Sequence, residues 1–169
     1  MSRAPAHEDR LRAVVANSPI IDLRAYNVSF VAGMGGDPEE VLTPDQDFTL
    51  ADIDQIPDEE MPPPVKEMSR SLIRRFGQET LLETFQYLRE FTVDPASIGC
   101  PALALVGEGE GGEPLRQYEE FCARAGGPVT RRLFTAAEGA DTHCQYGNLP
   151  LSNAVTLDWL DELMVVSAT

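Results

Sequence analysis

The chain has 169 residues, 43% of them hydrophobic, and a formal net charge of −15 from 28 acidic and 13 basic side chains; this allows one ordinary domain with a core of its own. The acidic balance opposes nucleic-acid binding and, more weakly, anionic membrane surfaces, and no run reaches the roughly 20 apolar residues that span a bilayer. The polar start, MSRAPAHEDRLR, lacks the apolar core of a signal peptide, and Cys100, Cys122 and Cys144 have no C-x-x-C spacing, so free thiols in the cytoplasm are expected.

In chain order, LRAVVANSPII (Leu11 to Ile21) is the first strand, apolar on both sides around Val14 and Val15 and ended by Asn17, Ser18 and Pro19. Residues 32–64 are rich in glycine, acid and proline, and read as loop with one short helix. From Val65 the pattern turns helical. Leu72, Ile73 and Phe76 share a face that Gly77 stops, and Thr80, Leu81, Leu82, Phe85, Leu88 and Phe91 describe a second amphipathic helix. The pair serves as a lid or as a crossover; periodicity alone does not choose.

The last third alternates. ALALV (Ala102 to Val106) is a buried strand, GEGEGGEP a flexible loop, and Leu115 to Ala123 a helix closed by Gly126 and Gly127. VTRRLFT (Val129 to Thr135) is the next strand, followed by the loop EGADTHCQYGNLP and a helix with Ala154, Val155, Trp159, Leu160 and Leu163 on its apolar side. Strand, helix, strand, helix at these spacings implies an α/β fold, a parallel sheet covered by helices with right-handed crossovers.

Of the two histidines, His7 lies in the polar lead and reads as solvated. His143 falls in the loop beyond the last strand, at the carboxyl edge of the sheet where open α/β folds bind ligands. The preceding strand opens into Gly107, Glu108, Gly109 and Glu110, so a carboxylate from that loop can accept a hydrogen bond from the His143 ring, fixing its tautomer for base catalysis. Asp141 is a nearby competitor for that role. The bland alternative is a loop histidine bonded to backbone, with solvated glutamates beside it.

ASIGCPALALVGEGEGGEP, RRLFTAAEGADTHCQYGN and AVTLDWLDEL together resemble the closing segments of an α/β-hydrolase. More narrowly they are similar to the bacterial group of FrsA-like esterases, dihydropseudooxynicotine-hydrolase relatives and related acyl-peptidases. In that group a strand beginning CPxL leads to the catalytic acid, a loop EGAxxHC carries the histidine, and a helix DWLDE packs behind. The resemblance implies that His143 is the catalytic histidine and Glu110 the acid, with Glu108 the substitute if the loop is displaced; the family usually has Asp there. It extends loosely to EDRLRAVVANSPIIDL, the strand after the helix that follows the nucleophile elbow. The expected architecture is a single partial α/β-hydrolase domain over 1–169. Residues 24–92 form its lid-like or crossover region and 93–165 its acid- and histidine-bearing end; the early strands and the elbow are missing.

The chain contains no G-x-S-x-G, the strained turn that presents the nucleophile in this fold. Ser97, in PASIG, precedes its strand and should emerge at the opposite end from Glu110 and His143; Ser18 and Ser29 follow the first strand without an elbow. The resemblance places the elbow just upstream of Met1, together with the oxyanion donors, and leaves a sheet edge to be covered. Three origins compete: a fragment or mis-started product of a complete hydrolase, one part of a split enzyme or symmetric assembly, or a degenerate, inert protein. If complete, the relay would act by serine acyl transfer on esters, amides or carbon–carbon bonds beside carbonyls, with a small acyl or carbonyl substrate and neither metal nor organic cofactor. Expected partners are a homo-oligomer or a complementary hydrolase fragment. The best non-enzyme reading is a structural or interaction domain with an acidic surface. A thiol nucleophile at Cys144, a His143/Cys144 zinc site and a phosphate loop at AGMGGDPE are weaker: adjacent loop residues point apart, two ligands are too few, and no GK[ST] follows.

Overall fold

The computed structural model describes residues 4–8, 10–33, 43–44 and 47–166. The chain divides into two compact units, Met1–Asp22 with Thr92–Thr169, and Leu23–Phe91.

The first unit is built on a three-stranded parallel sheet in the order β1 (Val14–Asn17), β2 (Ala102–Gly107), β3 (Val129–Phe134). Val14 pairs with Ala102, which pairs with Val129, so all three carboxyl ends lie at one edge. Every residue of the central strand is buried. Its pleat divides them: Ala102, Ala104 and Val106 pack with Ala16, Tyr118 and Phe121, whereas Leu103 and Leu105 pack with Phe134, Ala140 and the flanking Leu151, Val155 and Trp159. Helix α5 (Gly112–Arg124) supplies Tyr118 and Phe121, and α6 (Leu149–Val166) supplies Leu151, Val155 and Trp159. Each large side chain buried this way stabilises the fold by roughly 1.5–3 kcal/mol. The Trp159 indole N–H also donates to Thr130 Oγ1 at 2.9 Å, tying α6 to β3.

Gln117 of α5 is fully buried and makes four bonds. Its Oε1 accepts from the amides of Ile21 (2.7 Å) and Asp22 (2.8 Å), and its Nε2 donates to the Asp22 carbonyl (2.9 Å) and Glu113 Oε1 (2.8 Å). The segment leaving β1 is therefore held by a side chain at the Ile21 and Asp22 amides, while the Ile21 carbonyl accepts from the Val93 amide and Asp22 bridges Thr92.

The second unit is helical: α1 (Leu23–Gly33), α2 (Leu50–Gln55), α3 (Pro63–Phe76) and α4 (Leu81–Tyr87), the last followed by a 3-10 turn over Leu88–Glu90. Thr49 and Asp52 form a reciprocal capping box on α2, and Thr80 caps α4 by accepting from the Glu83 amide. Proline in its first turn starts α3, and Gly77 at φ 65° ends it in the left-handed conformation. Ile53, Leu72, Ile73, Leu81, Phe85 and Leu88 form the core of this unit.

The expected short helix within 32–64 is α2, while residues 34–42 and 45–46 of that region lie outside the described residues. Helix α1 has no counterpart among the elements expected from the sequence. No helix among the described residues is long and apolar enough to cross a membrane.

Candidate functional site

The carboxyl ends of the three strands converge on Glu110. After Gly107 the chain turns through a 3-10 segment, Glu108–Glu110, in place of the expected flexible loop. The turn folds the Glu110 side chain back, so that Oε1 accepts from the Gly107 amide at 2.9 Å. Oε2 accepts from Ser18 Oγ at 2.5 Å and bonds His143 Nδ1 at 2.8 Å. The Glu110 side chain is 1% exposed and that of His143 59%. A carboxylate removed from water is thus held by three partners, while the ring it bonds reaches outward.

A carboxylate only accepts hydrogen bonds, so a neutral His143 ring bonded to it donates from Nδ1 and keeps the lone pair on Nε2. Nε2 makes no hydrogen bond among the described residues. Such a pair can take up a proton at Nε2 and hold the resulting imidazolium through Nδ1.

Close backbone packing sets this geometry. The Gly109 amide donates to the Asp141 carbonyl at 2.9 Å, and a Cβ on Gly107 would overlap that same carbonyl. The acid turn and the histidine loop therefore meet main chain to main chain, which Gly107 alone permits at its position. Asp141, the competitor acid, enters the contact through its backbone.

Glu108 makes a different contact. Its Oε1 accepts from the Ala136 amide at 2.6 Å, bridging the turn after β2 to the turn after β3. That second turn is closed by Glu138, which accepts from the Thr135 amide and pairs with Arg132. The Arg132 guanidinium holds the Glu138 carboxyl below its usual range, aided by the Thr135 amide.

The histidine loop is bent sharply. Cys144 and Gln145 stand consecutively at φ 57° and 52°, and the Gln145 amide donates to the Thr142 carbonyl at 2.8 Å. Gln145 is fully buried, and its Oε1 accepts from Asn17 Nδ2 at 2.8 Å. Asn17 ends β1 and Ser18 follows it, and only the place of Ser18 after the first strand was readable. Nothing in the spacing of Asn17, Ser18, Glu110 and Gln145 announces their contacts, which join segments 92 and 128 residues apart.

Ser97 precedes β2 and donates to the Asp94 carbonyl, and Ser29 lies in α1 and donates to that of Tyr26. Among the described residues no group of three or more His, Cys, Asp or Glu is placed to hold a metal ion. No protein-family model matches the chain, and no curated protein matches it.

Proposed function

We propose that Glu110 and His143 are the acid–base half of a serine-hydrolase relay on a partial α/β-hydrolase fold, serving hydrolysis of an ester, an amide or a related acyl or carbon–carbon bond. The observation that supports this best is the buried Glu110 carboxylate bonded to His143 Nδ1 at 2.8 Å, at the carboxyl edge of a parallel sheet. In this reading His143 Nε2 takes the proton of a serine hydroxyl as that oxygen attacks the substrate carbonyl. It then returns the proton to the leaving group, while Glu110 keeps the ring in the required tautomer. The substrate is a small acyl or carbonyl compound.

Among the described residues no serine is hydrogen-bonded to Nε2. Ser18 donates its hydroxyl proton to Glu110, and the sequence holds no G-x-S-x-G. We therefore expect the purified chain to show no ester turnover and no labelling by a fluorophosphonate. The deciding experiment reads the in-frame coding sequence ahead of the Met1 codon. If it encodes a serine elbow, the extended chain should be labelled and should hydrolyse p-nitrophenyl esters, with both lost in His143→Ala and turnover strongly reduced in Glu110→Gln. An extended chain with an elbow whose turnover ignores His143 would overturn the proposal.

The lack of a G-x-S-x-G in the sequence favours a second reading, a non-catalytic interaction protein derived from this fold. A stop codon directly ahead of Met1, with a stable assembly and no labelling, would support it.

A further inference from the structure

We infer that Asn17 and Gln145 are positioning residues that hold the His143 loop in register with the acid turn. This rests on the reading of Glu110 and His143 as a proton relay, and adds the means by which the two are aligned.

The loop is bent at a cost. Two consecutive residues with side chains, Cys144 and Gln145, adopt the left-handed conformation immediately after His143, a state that L-residues rarely enter and that persists only where the surroundings impose it. The side chain of Gln145 is what the surroundings grip. It is fully buried, its Oε1 accepts from Asn17 Nδ2 at 2.8 Å, and its Nε2 has no partner among the described residues. A leucine would fill such a place without leaving a buried donor unpaired, so packing alone does not account for an amide here.

Asn17 has a neighbour with a matching contact. Ser18 donates to Glu110 Oε2 at 2.5 Å, so Asn17, the last residue of β1, and Ser18, the next, reach the histidine loop and the acid respectively. Both halves of the pair are thereby referenced to one dipeptide. The Glu110–His143 bond can then keep its length although the ring is largely exposed.

The histidine ring reports the result directly. His7 and His143 are the only histidines, so a His7→Ala background gives a single imidazole signal. At a pH where the ring is neutral, its 15N shifts distinguish Nδ1–H from Nε2–H. The starting protein should show the Nδ1–H form predominating. Asn17→Ala and Gln145→Leu should relax it toward a mixture with far-UV circular dichroism unchanged. Asn17→Asp should retain it, since its carboxylate accepts from Gln145 Nε2 once the amide turns over. Glu110→Gln is the control that breaks the pair itself. If Glu110→Gln changes the tautomer while Asn17→Ala and Gln145→Leu both leave it unchanged, the positioning role is overturned and the relay reading stands. If Glu110→Gln has no effect, the relay reading falls, and the positioning role with it.

Discussion

Gly107 ends β2 against the carbonyl of Asp141, so closely that no side chain fits between them. Gly107→Ala should therefore part the acid turn from the histidine loop and destabilise the first unit by about 3 kcal/mol, the upper part of the range for overpacking. Gly109→Ala is the milder comparison: its Cβ would stand 3.0 Å from Asp141 Oδ2 and 3.1 Å from the carbonyl oxygen. Urea unfolding of the two variants should rank them in that order. Equal stabilities would show that the turn adjusts freely.

Gln117→Leu should cost about 3 kcal/mol, because it removes the bonds that the side chain makes to the buried Ile21 amide and to the amide and carbonyl of Asp22. The volume hardly changes, so the loss measures polar satisfaction and not packing. A midpoint of unfolding within experimental error of the starting protein would show that water takes over those bonds.

The two candidate glutamates should separate cleanly. Glu108→Ala removes the bond to the Ala136 amide and should cost on the order of 1 kcal/mol while leaving the His143 tautomer unchanged. Glu110→Ala removes the partner of Nδ1 and should change it. The 15N spectrum of the His143 ring checks both, and a change in the Glu108 variant alone would reverse the assignment of the acid.

Burial pushes the Tyr118 hydroxyl up to about 12, with the neighbouring Cys122 adding to the effect, and burial likewise raises the Cys122 thiol. The sign follows from which state ionises first. As pH rises past the ordinary phenol value of 10.0, the unfolded chain loses the proton and the folded chain keeps it, so stability falls until the folded group also ionises near 12. Denaturant midpoints measured upward from pH 9 should decline more steeply in the starting protein than in Tyr118→Phe.

Much of the first unit was legible in the sequence because β2 is apolar at every position and flanked by helices of clear periodicity. Val14 and Val15 likewise announced β1. Gly77 marked a helix end through conformational chemistry that depends only on local residues, whereas Thr80, read as part of the second helix, is its N-cap. Helix α1 escaped because LRAYNVSFVAG has no clean polar face and no acidic residue in its first turn. At the site, the places of the 107–110 loop and of His143 after successive strands suggested a carboxylate–histidine pair, and only the resemblance singled out Glu110 within that loop. Ser18, Asn17 and Gln145 were not assigned their contacts, because strand order decides them: β1 lies beside β2, and that adjacency brings residue 18 to residue 110.

Trp159 is the only tryptophan in the chain, and its ring nitrogen is anchored to Thr130 on β3. Its emission is consequently a private optical channel for the sheet-bearing unit, to which Leu23–Phe91 contributes no indole. Circular dichroism sees the helices of both units. Superimposed unfolding curves from the two signals would mean one cooperative transition; a fluorescence change offset from the helical signal would give the melting of each unit without cutting the chain.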